Sequence, residues 1–184
     1  MSKLFFLTSI ILLLFANVQA STTFEVRGSG LFPTKSRFQK IYGKPLPCFE
    51  LQASTDFIGT LSLWANYNRL KKEKPIPDCC DASVKLSTIS LGLNHNYSLN
   101  KTLTLYAGIG LSYANILLKN KFSEITHRSK KNVLGGVIKS GCLINLQERY
   151  FLDLFADYYY QPVTFAKKTD CGGVRVGAGF GINF

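Results

Sequence analysis

Apolar and polar residues alternate along most of the chain beyond residue 20. This period-2 pattern is typical of β-strands whose two faces meet different surroundings. It is clearest in residues 173–184, where Val, Ala, Phe and Ile occupy one face and Gly, Arg and Asn occupy the other. Eight alternating runs can be drawn in all. They are residues 22–32, 48–56, 60–68, 83–98, 102–118, 133–146, 150–162 and 173–184.

The connections between these runs alternate between long and short. The long connections are residues 33–47, 69–82, 119–132 and 163–172, and the short ones are residues 57–59, 99–101 and 147–149. This alternation, with most runs about nine residues or longer, is typical of membrane-spanning up-and-down barrels with long loops at one end. A soluble β-sandwich would also alternate, because its apolar face is buried against a second sheet.

Three features favour the barrel over the sandwich. The chain ends on an aromatic residue, Phe184, at the end of its most regular run. Glycines gather on the polar face, as at Gly108 and Gly110, and small residues inside a narrow barrel make room for large side chains from across the lumen. Aromatic residues occur near the ends of several runs, where the two interfaces of a membrane would lie. They are Phe24, Tyr67, Tyr97, Tyr113, Tyr150, Tyr158 and Tyr160.

The first part of the chain, residues 1–20, predicts a cleaved signal peptide of the Sec type. Lys3 supplies the positive start, an apolar run follows, and Val18 and Ala20 provide the small residues of a cleavage site. The apolar run is shorter than the roughly 20 residues that a membrane-spanning helix needs. Every later apolar stretch is interrupted by a charge, Gly, Asn or Pro, so insertion into a membrane would have to use strands. We therefore expect a mature chain of residues 21–184.

Residues 173–184, with Phe180, Ile182 and Phe184 at alternate positions, resemble the C-terminal strand of small outer-membrane barrels of the OmpA, OmpX and OmpW kind. The resemblance implies an all-β fold, an eight-stranded antiparallel up-and-down transmembrane β-barrel formed by residues 21–184 after the signal peptide is cleaved. It also implies a location in a bacterial outer membrane. In that group the terminal aromatic residue and the apolar residues before it form the signal read by the barrel-assembly machinery. A monomer is the favoured oligomeric state.

The polar face would place seven charged residues in the lumen of such a barrel. They are Glu25, Arg27, Glu50, Lys139, Asp153, Asp157 and Arg175. Three cations then meet four anions, and charges so confined need partners because an unpaired buried charge is costly. We expect a network of ion pairs that crosses the lumen and blocks flow through it. A narrow pore for small solutes, lined by the same groups, is the alternative.

The formal net charge of +11 is concentrated in the predicted long connections. These connections hold fifteen Lys and Arg residues against five Asp and Glu residues. Outer-membrane lipid and lipopolysaccharide, whose phosphates would meet this end of the barrel, are therefore the expected partners. Export argues against nucleic acid, which a charge of this size would otherwise suggest. Keeping exposed loops soluble is an alternative role for the charge.

Four of the five cysteines lie in or beside the long connections, and Cys142 lies within a strand on the apolar face. The four are Cys48, Cys79, Cys80 and Cys171. In an exported protein they could form two disulfides, with three pairings open, or cross-links to neighbouring envelope proteins. A metal site is not expected, because the adjacent cysteines do not form a CxxC pair and His127 is the one histidine in the connections.

The sequence predicts neither a cofactor nor a catalytic group. His127 has Ser123 and Glu124 nearby, but no spacing rule supports a catalytic triad there. We therefore expect a non-enzymatic role in the cell envelope, in membrane integrity or in surface interaction. The rival class is a secreted, disulfide-tied soluble β protein that binds a ligand.

Overall fold

The computed structural model describes residues 21–35, 39, 43–76, 80–122, 125–164 and 168–184. The predicted signal peptide lies outside the described residues. Within the described ranges the chain forms ten strands and no helix that is long and apolar enough to cross a membrane. The strands are β1 (Thr22–Pro33), β2 (Leu46–Ile58), β3 (Leu61–Ile76), β4 (Cys80–Ser98), β5 (Leu103–Phe122), β6 (Ile125–Asn145), β7 (Tyr150–Tyr160), β8 (Pro162–Thr164), β9 (Lys168–Asp170) and β10 (Gly173–Asn183).

Eight of the strands in this part of the chain close into a barrel, in the order β1–β10–β7–β6–β5–β4–β3–β2. Every neighbouring pair is antiparallel, and the first strand completes the barrel by pairing with the last. The short strands β8 and β9 form a separate hairpin in the connection between β7 and β10. The predicted all-β, eight-stranded antiparallel up-and-down barrel is confirmed.

The two ends of the barrel differ in their connections. One end, here called the turn end, carries the start and the end of the barrel chain and the turns at residues 59–60, 99–102 and 146–149. Gly59 opens the first of these turns with a φ of +57°, a conformation that residues with a side chain rarely adopt. The opposite end carries the longer connections and is called the loop end.

Two of the predicted long connections are strand for most of their length. The strand β3 continues to Ile76 and its partner begins at Cys80, so residues 69–82 belong largely to a hairpin. The next hairpin likewise continues to Phe122 and resumes at Ile125. The sequence prediction ends these strands where the outward apolar residues stop. The strands themselves continue, because the hydrogen bonds of a hairpin do not depend on that pattern once the chain has passed the apolar surface.

The outer face of the barrel carries a continuous band of exposed apolar side chains. Its members include Phe24, Val26, Leu51, Leu63, Leu91, Ile109, Leu111, Ile138, Leu154, Val176 and Phe180. An exposed apolar surface of this extent is unfavourable in water and is typical of a face that contacts lipid. Exposed tyrosines border the band, with Tyr67 and Tyr113 toward the loop end and Tyr97 and Tyr150 at the turn end.

Toward the loop end, the two faces of the strands exchange character. In β4, Ile89 points outward and Ser90 inward, whereas Leu86, nearer the loop end, points inward and is buried. In β5, Leu111 points outward, and Ile116, nearer the loop end, is buried inside. An inward apolar face is the arrangement of a soluble protein. The exchange therefore marks the height at which the outer face leaves the apolar band.

Glycines in the lumen make room for a large side chain, the role that the sequence predicts for them. Trp64, the single tryptophan of the chain, is buried inside the barrel. A Cβ atom at either Gly92 or Gly110 would lie 2.7 Å from Cζ2 of its indole ring. Real Cβ atoms do not approach other atoms so closely, so the two glycines create the space that the ring occupies.

Candidate functional site: the lumen and the loop-end rim

The seven charged residues predicted for the lumen all lie inside the barrel, each no more than 5% exposed. Arg27, on β1, makes the largest share of their contacts. Its guanidinium group lies 2.9 Å from the Glu25 carboxylate and 3.2 Å from that of Glu50 on β2. It also pairs with two carboxylates of β7, Asp153 and, at 3.2 Å, Asp157. One cation thus joins three strands through four carboxylates.

The Glu50 carboxylate brings the other two cations into the same network. The Nζ atom of Lys139 lies 3.7 Å from the carboxylates of both Glu50 and Asp157. The Nη1 atom of Arg175 lies 3.5 Å from Glu50. The seven residues therefore form one connected network of ion pairs. Mutual pairing is what allows so many ionisable groups to be buried together, because an isolated buried ion would lose its hydration without compensation.

Neutral amide side chains add hydrogen bonds to the network, and the sequence prediction did not include them. Asn66 donates a hydrogen bond to Glu50 at 2.9 Å, and Gln52 donates one to Glu25 at 3.0 Å. Asn68 accepts a hydrogen bond from Arg175 at 3.0 Å. Each amide has the same inward parity as the charged residues, and that parity is the signal by which the sequence could have indicated them.

Aromatic rings form the walls around the two arginines. The guanidinium carbon of Arg27 lies 4.1 Å from the centre of the Phe155 ring, and that of Arg175 lies 3.8 Å from the centre of the Tyr159 ring. The hydroxyl group of Tyr106 donates a hydrogen bond to Asp153 at 3.0 Å. These contacts hold the planar cations in place and fill the space that water would otherwise occupy.

On the loop-end side of the network, the lumen is filled by an apolar cluster, here called the apolar cap. It consists of Leu31, Leu46, Cys48, Leu70, Val84, Leu86, Ala114, Ile116, Val133, Val163 and Cys171. The sequence prediction places polar loops at this end and misses the cap. Val163 belongs to β8, so the short hairpin in the last connection contributes to the closure.

On the other side of the network, the lumen holds a polar cavity of about 160 Å³. Its walls include Glu25 and Tyr106, which border the charge network, and Ser21 and Asn183, which lie at the turn end. The charge network and the apolar cap both stand between this cavity and the loop end. The cavity is therefore a recess that enters from the turn end and stops at the network.

Two of the four cysteines predicted to form disulfides have described side chains. Cys48 and Cys171 have free thiols, and both are buried in the apolar cap rather than exposed in loops. Burial and the neighbouring Asp170 carboxylate raise the pKa of the Cys171 thiol to about 12, so this thiol stays protonated and unreactive at neutral pH. Cys79 and the side chain of Cys80 lie outside the described residues. The disulfides therefore stay a prediction.

The predicted assembly residues lie on the outer face of the last strand and directly after it. Phe180 and Ile182 point outward from β10, and Phe184 follows its end. The Phe184 ring packs edge-on against Phe24 with 5.8 Å between the ring centres. Its backbone N–H donates a hydrogen bond to the Thr22 carbonyl at 2.9 Å, so the last residue extends the pairing with β1. A role in assembly stays a prediction.

Metal-binding and catalytic groups can be assessed over the described residues. There, no group of three or more His, Cys, Asp or Glu side chains is arranged to hold a metal ion. His95, at the turn end, has its Nε2 atom 3.1 Å from the Thr60 hydroxyl. Ser123, Glu124 and the side chain of His127 lie outside the described residues.

Three solved structures show the class of this fold. The chain has a TM-score of 0.67 and 13% identity with the outer membrane protein OprG from Pseudomonas aeruginosa, over 90% of this chain and 96% of OprG. With Neisserial surface protein A, the TM-score is 0.62 and the identity 16%, over 90% of this chain and 97% of that protein. With the N-terminal β-barrel domain of Pseudomonas aeruginosa OprF, the TM-score is 0.60 and the identity 19%, over 90% of this chain and 100% of that domain. No protein-family model and no curated protein matches the sequence.

The chain therefore has the fold of the small eight-stranded outer-membrane β-barrel proteins. The likeness extends over nine tenths of the chain, while sequence identity stays below 20%. What these barrels share with this chain is the closed, eight-stranded antiparallel architecture.

Proposed function

We propose that this protein is an integral protein of a bacterial outer membrane, with a non-enzymatic role in membrane integrity or surface interaction. Its turn end faces the periplasm and its loop end faces outward, as the lengths of the connections suggest. The observation that carries the proposal is the position of Arg27, which joins carboxylates of β2 and β7 across the lumen, three strands apart around the ring. A barrel crossed in this way is a rigid membrane element and not a conduit.

The closure has two layers that resist the passage of solutes for different reasons. An ion that crosses the network would have to separate buried ion pairs, and each separation leaves charges without partners at a cost of several kcal/mol. An ion that crosses the apolar cap would have to shed its water in an apolar constriction. Because the layers lie one after the other, the opening of one does not open the other.

Conductance in planar lipid bilayers tests the closed lumen. We expect the purified protein to insert without producing stable conductance steps, because both layers stay intact in the native barrel. A porin of known conductance, measured in the same membranes, serves as the control for insertion and detection. Stable steps from the native protein would favour the alternative role, a narrow pore for small solutes.

Cell fractionation tests the location. We expect the protein in the outer-membrane fraction, with a mobility on gels that changes on heating in detergent, because folded barrels of this size resist unfolding by detergent. Recovery of the mature protein in solution without detergent would overturn the proposal and favour a secreted soluble protein.

A further inference from the structure

A group of four cations lies on one side of the outer surface, just beyond the apolar band. We call this group the cationic arc; it consists of Arg69, Lys71, Lys85 and Lys130. Lys71 on β3 is the register partner of Lys85 on β4. Lys85 is followed across the sheet by Leu117 and then by Lys130 on β6. The three lysines therefore form one lateral row across four strands.

The height of the arc relative to the apolar band follows from the same register. Two residues below the lysine row, Arg69 lies in a row of neutral polar residues, Ser87, Asn115 and Asn132. Two residues below that, the row consists of Tyr67, Ile89, Tyr113 and Leu134, all exposed. Since a strand rises about 3.3 Å per residue, the lysine row lies roughly 13 Å along the strands from the top of the apolar band, and less when the strands are tilted. In a membrane that covers the apolar band, this would be the height of the lipid head groups.

On the opposite side of the barrel, the outward strand positions described at the loop-end border carry no cation. There, at the loop-end border, the outward side chains of β1, β7 and β10 are apolar or aromatic. They are Phe32, Tyr158, Tyr160 and Val174. Lys35 and Lys44, in the connection between β1 and β2, are also exposed at the loop end, so cations occur on both sides of the barrel. What distinguishes the arc is that its cations lie on paired strands in a fixed register.

The arrangement of the charges within the arc also indicates an anionic ligand. Lys71 and Lys85 are directly opposed across two strands, and like charges in this position repel each other. Lys71 pairs with the Glu73 carboxylate at 2.9 Å, and both side chains of this pair are more than half exposed. An exposed pair of this kind contributes little on its own. A phosphate placed between the lysines would turn the repulsion into attraction.

We infer that the cationic arc binds the phosphate groups of an anionic lipid of the outer leaflet, a phosphorylated glycolipid of the lipopolysaccharide type. The inference rests on the proposed location in an outer membrane. The arc is wide enough for a head group with more than one phosphate, because Lys71 and Lys130 are three strands apart, about 14 Å at the usual spacing. Lipid chains would lie against the exposed apolar residues below, and the Asn115–Asn132 row would face the sugars.

The test uses the native protein in neutral detergent, the triple variant Lys71→Gln, Lys85→Gln, Lys130→Gln, and a charge-matched control. The control is Lys35→Gln, Lys44→Gln, Lys101→Gln, which removes three exposed lysines from outside the arc. Each protein is titrated with diphosphoryl lipid A, with dephosphorylated lipid A, with inorganic phosphate and with heparin. The unfolding temperature, followed by Trp64 fluorescence, reports binding because a ligand that binds the folded state stabilises it.

We expect diphosphoryl lipid A to raise the unfolding temperature of the native protein and of the control. Binding by the arc variant should be weaker by on the order of a hundredfold, since each cation near an anionic surface contributes roughly a factor of five. High salt should weaken binding by the native protein, and dephosphorylated lipid A should have no effect. The inference would be overturned if the control variant lost as much affinity for diphosphoryl lipid A as the arc variant. It would also be overturned if the arc variant bound this lipid as tightly as the native protein.

Two further outcomes would also overturn it. An equal effect of inorganic phosphate would mean that the arc binds a free anion, and an arc-dependent effect of heparin without one of lipid A would mean a sulfated polysaccharide. Failure of the inference is separable from failure of the proposed function. A native protein that folds as a heat-modifiable barrel in detergent, yet ignores lipid A, contradicts the arc alone.

Discussion

At the scale of single residues, Arg27 shows how a barrel with a charged interior can be stable. Its side chain is 1% exposed and has lost its hydration, which would be prohibitive for an isolated cation. Four carboxylates and the face of an aromatic ring replace the lost water. The compensation is mutual, because without Arg27 several of these carboxylates would lose their nearest cation.

Replacing Arg27 by Met is therefore expected to destabilise the barrel by about 3–5 kcal/mol, the usual cost of removing one partner of a buried ion pair. Urea unfolding in detergent micelles, followed by the fluorescence of Trp64, measures the change. The matched control is Lys101→Met, which removes an exposed cation and is expected to change stability by less than about 0.5 kcal/mol. A loss as small as that of the control would show that the network does not hold the barrel together.

At the scale of elements, β4 and β5 each pass through two environments. In the apolar band their outward residues are apolar and their inward ones polar, and beyond it this order is reversed. Two adjacent residues with similarly apolar side chains can therefore face opposite sides of the barrel wall. Ile116 is fully buried in the apolar cap, whereas Leu117 points outward and is partly exposed. Because of this reversal, we expect truncation of the two side chains to have different effects on stability, although their hydrophobicity is similar.

Ile116→Ala is expected to destabilise the protein by about 2–5 kcal/mol, because it leaves a cavity in the cap. Leu117→Ala removes a similar side chain from the outer face of the projecting hairpin and should cost less than about 1 kcal/mol. Urea unfolding of both variants under the same conditions makes the comparison. Equal losses would contradict the inward orientation of Ile116 and with it the cap.

At the scale of the whole molecule, the barrel exists only when its first and last strands meet. The contact is extended to the last residue, where Phe184 exchanges backbone hydrogen bonds with Thr22 at 2.9 and 3.3 Å. The packing of its ring against Phe24 adds an apolar contact on the outer face. The closing seam is therefore the place where a local change has a global effect.

Phe184→Asp is expected to lower the amount of protein in the outer membrane several-fold, because it places a charge on the apolar seam and removes the aromatic residue of the predicted assembly signal. Phe184→Tyr, which keeps the ring, is the matched control and should assemble nearly as well as the native protein. Immunoblots of outer-membrane fractions, with and without heating, measure both variants. Normal assembly of Phe184→Asp would count against the predicted role of this residue.

The alternation of residues predicted the strand number and which side chains share a face, and the alternating lengths of the connections predicted the antiparallel order. Residues such as Glu50 and Asp157 could be assigned to the interior because the direction of a side chain is a local property with a period of two. The same rule applied to Gln52 and Asn66 would have added the amides. The change from polar to apolar residues at the inward positions, as at Leu86 and Ile116, was also present in the sequence, but it has no meaning until the height of the apolar band is known.

What the sequence by itself determined, then, is which residues face inward, and what only the tertiary structure decided is which of them meet. Arg27 pairs with Asp157, 130 residues away, because the closure of the barrel brings β1 and β7 to the same height on either side of β10. That height depends on the register of every strand pair in the ring. The same closure aligns Lys71, Lys85 and Lys130 into one row. Side-chain direction is set within one strand, whereas partnership is set by the whole ring, which is why no local pattern could reveal the network or the cationic arc.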